Sequence, residues 1–484
     1  MNPQFLEHYQ TELRHIREMA SIFARQNPKI ASRLELDSLE ASGECPDPFV
    51  ERLLEGFAYL AARIQFKYDA EFPRTAQAIL DTVFPQYLAP TPSMTIVQVV
   101  PDYANADLES GYPVPRGTQL RSRVERGKRV PCIYTTGHEV TLWPVRIAAA
   151  RYYSRELGLL NLPDGVAAQG ALSIRLEITA GLSSSDLAVD SLDFYIQGEG
   201  DFPDQLLEEV FARTTSVSLR STETTRGLGS VLEGVPISRV GFAGEESLLP
   251  PRARTFSGYR LLREFFTLPQ RFSFFRVSGL RSAFQREEAT ELDLLLLFQT
   301  TDGRLEGRVS SENVELYCTP AVNLFSRRAD RVHVSSKVSE YPVIVDKTRT
   351  LDYEVFGIES VTGHGSRAYQ ELKFEPFYRS PRRSAGDHAF YTVRRAPRTI
   401  TDREHRFGQV SEYLGSDVFL MIVDDACLPY SPDIEELSIR LRCTNRHLPL
   451  SMATSGNERD FSTELGGPIA GVANLTQQTA PFPS

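Results

Sequence analysis

The stretch DPFVERLLEGFAYLAARIQFKYDAEF, residues 47–72, decides how the rest of the chain is read. Asp47 has a short acidic side chain suited to accept from the free N–H groups of a first helical turn. Pro48 follows at the first helical position, where its missing N–H costs nothing. Large apolar residues recur at Phe49, Leu53, Phe57, Leu60, Ile64 and Tyr68, flanked by Val50, Leu54, Ala61 and Phe72. Spacings of three and four put them on one face of a helix roughly 37 Å long. Pro73 is expected to end it. Such a helix does not stand in isolation, because ordering its backbone costs more than one unpartnered face gains. It must lie against other apolar surface, in this chain or in another. The pattern alone fits a core helix of its own domain.

Working outward, residues 2–26 read as a first helix whose stripe includes Phe5, Leu6, Tyr9, Leu13, Ile16, Met19, Ile22 and Phe23. Asn27-Pro28 stops it, a short turn follows, and residues 38–46 read as a loop. A short helix from Pro73, with Ala76, Ile79, Leu80, Val83 and Phe84, is closed by Pro85, Pro90 and Pro92. Beyond Pro92 the apolar period changes from near 3.6 to 2, and strands are expected at Met94–Val100, Ser173–Thr179, Leu192–Gln197, Leu292–Phe298, Val418–Val423 and Glu436–Cys443, among others. Helices are expected to interrupt at Phe202–Arg213 and Tyr259–Phe266. The fold class is therefore α+β and multidomain, a helical region followed by β-rich, mainly antiparallel domains with a few inserted helices. The expected divisions are a helical assembly region at 1–92, a mixed β-rich domain at 93–308, a second β-rich domain at 309–450, and a polar tail or linker at 451–484. That last stretch is rich in Ser, Thr, Gly, Ala, Asn and Pro.

Composition narrows the function classes. The chain has 484 residues, a net charge of −10 and a pI near 5.5, which suits neither a phosphate backbone nor an anionic membrane surface. The N-terminus is charged throughout, with no apolar segment of a signal peptide, and no apolar run reaches bilayer length. A cytoplasmic location without membrane insertion is expected. Cys45, Cys132, Cys318, Cys427 and Cys443 are scattered, with no CxxC pair, and read as buried free thiols in a reducing compartment.

No phosphate-binding loop, dinucleotide fingerprint, nucleophile elbow or HExxH motif occurs. The eight histidines, among them His8, His15, His138 and His447, read as surface or capping residues rather than metal ligands. The basic cluster Arg327, Arg328 and Arg331 reads as a solvated loop. Adjacent acidic pairs such as Glu245-Glu246 and Glu287-Glu288 point to opposite faces of a strand and make poor acid–base pairs. No catalytic, cofactor-binding or metal residue is assigned. A β-rich hydrolase using two carboxylates brought together by the fold stays open as the alternative, with the single Trp143 weighing against a sugar-stacking cleft.

The most distinctive patterns are shaped corners: VPRGTQL (114–120), CTPAVNLF (318–325) and LRCTNRHLP (441–449). With DPFVERLLEGFAYLAARIQ (47–65), FPQYLAPTPSM (84–94) and GYRLLREFF (258–266) they follow one another in an order that resembles the TssF family (also called VasA or ImpG), a baseplate subunit of bacterial type VI secretion systems. The VPxGT piece with the later Thr135-Thr136 and Glu139-Val140 also resembles J-like wedge proteins of phage baseplates. Members of the family continue well past the CTNRxLP corner, so a C-terminal domain is expected to be missing here. The resemblance implies a structural protein without cofactors. It implies assembly with TssG, typically two TssF copies per TssG, and with TssK and TssE in a wedge. Six wedges would surround a VgrG hub and support the tail tube and sheath, docked at the inner membrane through other subunits. It also implies that the N-terminal helices bundle with those of partners. The interface candidates are accordingly Phe5, Tyr9, Leu13 and Ile16 on the first helix, and Phe49, Leu53, Phe57, Leu60, Ile64 and Tyr68 on the long one. Val50, Leu54 and Ala61 would seat the long helix on its own domain.

Overall fold

The computed structural model describes residues 3–36, 45–84, 86–124, 130–162, 168–223, 229–232, 234–251, 256–335, 337–365, 371–377, 389–398, 413–424, 434–452 and 460–483. The chain is a multidomain α+β protein, helical first and mainly antiparallel β thereafter. Two compact units divide at Met1–Leu88 and Ala89–Ser484.

The first unit is a helical hairpin. Helix α1 spans Pro3–Gln26, a turn of helix follows at Pro28–Ala31, and α2 spans Pro48–Val83. Asp47 caps α2, its Oδ1 accepting from the Phe49 amide at 2.8 Å. Pro73 does not end the helix, as its sequence position suggested, and the expected separate helix at 73–84 is the last part of α2. A proline inside a helix forfeits one backbone hydrogen bond and crowds the preceding turn, a cost of about 3 kcal/mol. Here the helix-forming residues on both sides outweigh that local cost. The expected loop at 38–46 lies mostly outside the described residues.

The second unit is built on a closed barrel of six strands. In order around the wall these are Met94–Pro101, Cys318–Val322, Ile133–Thr136, Gln119–Ser122, Phe461–Thr463 and Ile469–Asn474. The last pairs antiparallel with the first, Val97 opposite Asn474 and Val99 opposite Val472. Residues 461–474 are therefore part of a barrel wall and not the tail that composition suggested. Their strands are short and poor in large side chains, and their order comes from pairing with residues distant in sequence. The boundary expected between 308 and 309 is also crossed. Val314–Leu316 joins a four-stranded sheet with Ser191–Ile196, Phe274–Ser278 and Ile237–Arg239, and Cys318–Val322 is paired with Met94–Pro101.

That four-stranded sheet shares a core with a five-stranded one whose strands are Ser230–Val231, Thr214–Ser221, Glu291–Phe298, Gly170–Ile178 and Val145–Tyr153. Ile174, Leu176, Leu294 and Leu296 from one sheet and Phe194, Phe275 and Val277 from the other are buried in it. Helix α3 (Phe202–Glu208), which runs on as a π-turn at Glu209–Arg213, and helix α5 (Arg281–Glu287) supply Phe202, Leu206 and Phe284 to the same core. Between them in sequence lies α4 (Ser257–Thr267). An eight-stranded sheet is centred on Ile434–Thr444 and Glu354–Gly365, and its core is continuous with the barrel interior. Arg327 and Arg328 lie on a strand of it, Phe325–Arg328, rather than on a solvated loop. The Arg327 guanidinium sits 4.3 Å from the Tyr353 ring centre and 3.2 Å from Asp346, while Arg331 binds Glu436 at 2.7 Å.

The distinctive sequence corners meet at the barrel. Asn323 and Asn445 are fully buried and joined to one another. Asn445 Oδ1 accepts from Asn323 Nδ2 and from the Ile133 amide, both at 2.8 Å, and the Asn445 amide donates to Asn323 Oδ1 at 2.7 Å. Thr118 Oγ1 and Thr136 Oγ1 both donate to the Pro115 carbonyl, and Gly137 N donates to Pro320 O at 2.7 Å. Four motifs spread over more than three hundred residues thus close one joint.

Candidate interaction surfaces

In the hairpin, α1 and α2 run antiparallel. The Phe5 ring packs edge-on against Tyr59 and Phe66, His8 Nε2 lies 3.3 Å from Asp69, and near the other end Arg17 ion-pairs with Glu51. Burial pushes the Glu51 carboxyl up, but hydrogen bonds from Arg17 and the Cys45 amide outweigh it and hold the group below its usual range. The face of α2 that is closed is a small-residue face. Ala58 and Ala62 are fully buried and Val50, Leu54 and Ala61 are half-buried. Small side chains let two helices approach closely but bury little area, and the unit's one cluster of buried residues, among those described, is small: Ala24, Ala31, Leu36 and Cys45.

The large residues of α2 stay outside. Phe49, Leu53, Phe57, Leu60, Ile64 and Tyr68 are between 55% and 82% exposed, and Ile79 and Val83 extend the row. Those first six leave on the order of 700 Å² of apolar surface uncovered, more than a lone soluble domain ordinarily presents. The α1 residues behave differently. Phe5, Tyr9, Leu13 and Ile16 are half-buried and share the side of α1 that carries the Phe5 contacts with α2. The more exposed apolar residues of α1 are Leu6, Met19, Ile22 and Phe23. Helical spacing gives the stripe but not its division between the two sides, because a stripe wider than one contact serves both.

A second uncovered face lies on α4, where Tyr259, Leu262, Phe265 and Phe266 are exposed while Arg260 and Glu264 are buried. The sequence marks this stretch as a helix but gives no sign that its charged side is the inner one. The signal lay in Arg271, seven residues beyond Glu264, which is fully buried and pairs with it.

The rest of the described surface offers little chemistry. No three His, Cys, Asp or Glu side chains among the described residues come together as a metal set. A cavity of about 320 Å³ is lined by Glu139, Thr141, Ser191, Asp193, Arg276 and Tyr317, among others. Its Asp193 is matched already, both oxygens accepting from Arg276 at 2.5 and 2.8 Å. Glu246 accepts from the nearby Gly241 and Ala243 amides as a local cap, and Glu287 accepts from the Ser221 amide. Trp143 is buried in the core. His138 and His447 are buried too, contrary to the surface or capping role expected of the histidines. Burial, followed by the charges of Arg271, Arg276 and Arg116, pushes the His138 imidazole down to about 3. Cys45, Cys132, Cys318 and Cys443 are buried. No helix among the described residues is long and apolar enough to cross a membrane.

Comparison with known proteins gives these surfaces a family. The family model for the type VI secretion system protein TssF matches residues 1–484. The type VI secretion system component TssF1 of Pseudomonas aeruginosa is 43% identical over 488 residues, covering 99% of this chain and 77% of the relative. Among solved structures, a chain of the type VI TssK-TssF-TssG baseplate subcomplex, seen by cryo-electron microscopy, superposes with a TM-score of 0.67 at 24% identity. That match covers 90% of this chain and 75% of the other. A chain of the type VI secretion baseplate complex gives a TM-score of 0.51 at 22% identity, over 98% and 76% of the two chains. At those identities the likeness speaks for the fold, and the family rests on the full-length match and the 43%-identical relative: this chain belongs to the TssF family of type VI secretion system components.

Proposed function

We propose that this protein is a structural, non-enzymatic subunit of a type VI secretion baseplate wedge, and that the exposed row on α2 is where neighbouring subunits cover it. The observation that carries the reading is that uncovered row, Phe49 through Tyr68, on a hairpin in which the fully buried residues of α2 are just Ala58 and Ala62 among those described. Family membership gives the setting, and the fold is shared with chains from TssK-TssF-TssG and baseplate assemblies. In this reading the hairpin bundles with helices of TssG and of a second copy of the chain, two copies per TssG. The wedge so formed includes TssK and TssE, surrounds a VgrG hub and supports tube and sheath. It docks at the inner membrane through other subunits while the protein itself stays cytoplasmic. No cofactor enters the reading.

The test is co-purification with TssG from a co-expressed cluster. Leu60→Asp together with Ile64→Asp should abolish recovery of TssG while leaving the circular dichroism and the melting temperature of the isolated protein unchanged. Both side chains are solvent-exposed in the free chain, so the carboxylates pay a desolvation cost of several kcal/mol only on assembly. Deleting residues 1–84 should have the same effect on recovery. Normal assembly of the double variant would remove α2 from the interface, and retention of TssG by the deleted protein at full affinity would remove the hairpin altogether.

A further inference from the structure

The cavity lined by Ser191, Asp193 and Tyr317 lies where one strand runs past the end of its neighbour. Val314–Leu316 pairs with Ser191–Ile196 as far as Leu316, opposite Phe194. Tyr317 then leaves the sheet with a left-handed backbone, φ 61°, and Cys318 starts the barrel strand. That conformation costs a tyrosine about 1–2 kcal/mol. It is held by the hydroxyl, which donates to the Trp143 and Val145 carbonyls at 3.0 and 2.8 Å, and by the carbonyl, which accepts from the Val99 amide at 3.0 Å. Ser191, Leu192 and Asp193 therefore pair with Ser278, Val277 and Arg276 on one side and, among the described residues, with no strand on the other. Ile196 donates to Ser273 on the paired side and Gln197 to Asn313 on the other. The direction alternates along a strand, so Ser191 and Asp193 turn their peptide groups to the open side. Val140 and Thr141 line the same cavity, from a strand whose one pairing among the described residues is with Tyr112–Val114. The volume, about 320 Å³, is that of a small ligand site. Glu139, Asp193 and Arg276 are the charged residues lining it. Asp193 and Arg276 neutralise each other, while Glu139 is exposed and has no ion-pair partner among the described residues.

We infer that this cleft receives an extended segment of a partner polypeptide, which adds as a strand along Ser191–Asp193 and carries a basic residue towards Glu139. The open edge is roughly 10 Å long and presents a peptide group at every second residue, the interval at which another extended backbone offers its own. An apolar ligand in the same place would leave those peptide groups without water or a hydrogen bond, a cost that an added backbone avoids. Glu139 sets the sign of the contact, because an opposite charge on a neighbouring strand is favourable and a like charge is repelled. Tyr317 keeps the slot open. Were it to continue in extended geometry, its own backbone would take the place beside Asp193. The contact is independent of the α2 reading, which concerns residues of the other compact unit.

The probe is a capped heptapeptide of alternating threonine and valine with lysine at its centre, labelled with fluorescein and titrated with the full-length chain by anisotropy. It should bind with a Kd below about 1 mM. The same peptide with glutamate at its centre should bind at least about 2-fold more weakly. One methylated at its backbone amides, and so without main-chain donors, should bind at least about 10-fold more weakly. Proline is tolerated at the first residue of a strand, so Ser191→Pro removes one outward amide and should weaken the lysine peptide at least about 5-fold with an unchanged melting curve. Glu139→Lys, at an exposed position, should reverse the preference between the lysine and glutamate peptides, and it carries the test should Ser191→Pro melt lower. Deuterium exchange with the lysine peptide bound should show protection at 139–141 and 191–193. A lysine peptide that does not bind below about 1 mM would overturn the inference. So would equal binding of the methylated peptide, an unchanged preference in Glu139→Lys, or protection that falls outside those two segments.

Discussion

Acidification should weaken the β-rich unit through one residue, His138. Its side chain is 5% exposed, its ring lies 5.5 Å from that of Phe274, and three arginines raise the local positive potential. The folded-state value of about 3 lies below the ordinary 6.5, so the unfolded chain takes up a proton that the folded chain refuses. The stability held by the neutral imidazole is complete above pH 6.5 and is lost as pH falls towards 3. The limiting slope is about 1.4 kcal/mol per pH unit, which makes the loss between pH 7 and pH 5 about 2 kcal/mol. Trp143, the chain's one tryptophan, is buried in the core of the same unit and reports its unfolding by fluorescence. Urea titrations at the two pH values should be run on wild type and on His138→Gln. Other groups titrate equally in both proteins, so the His138→Gln profile should be flatter by about 2 kcal/mol over this interval. Parallel profiles for the two proteins would refute the assignment.

Other consequences are as direct. Asn445→Ala leaves the Ile133 amide and the Asn323 amide group without an acceptor inside the barrel joint, and should cost about 2–5 kcal/mol in denaturant titrations. Asn323→Ala with Asn445→Ala should cost less than the sum of the two single changes, since both break one network. Glu264→Leu strands the buried guanidiniums of Arg260 and Arg271 and should destabilise by about 3–5 kcal/mol, seen as a lowered unfolding midpoint. Burial raises the thiol values of Cys318 and Cys443, so in a Cys427→Ser background a thiol reagent at pH 8 should react with these two only after urea is added.

Local signals were legible where they are local. Asp47-Pro48 and the 3–4 spacing gave α2 its start and its face, and the short apolar run Leu292–Phe298 and the alternating Glu436–Cys443 fell on strands. What escaped is non-local. Phe461–Thr463 and Ile469–Asn474 look like tail because their order is supplied by Met94–Pro101 and Gln119–Ser122. Cys318-Thr319-Pro320 looks like a turn, yet it is a fully buried strand in the barrel wall. Of the interface candidates, the six on α2 stand exposed and the four on α1 are half-buried, a division set by how two helices rotate onto one another and not by either stripe. The buried side of α4 is hidden for a similar reason, since nothing local in YRLLREFF marks Arg260 and Glu264 as inward-facing until Arg271 is placed beside them.

The pairing of Met94–Pro101 with Ile469–Asn474 sets a clock on biosynthesis. The barrel wall cannot close until about 370 further residues have been made after its first strand, which takes roughly 20–75 s at ordinary elongation rates. The five-stranded sheet, complete by Phe298, can form during that interval, while Met94–Pro101, mostly buried in the finished protein, waits with one edge unpaired. A ribosome stalled before residue 469 therefore holds a chain whose cores are largely made and whose first barrel strand still has an open edge.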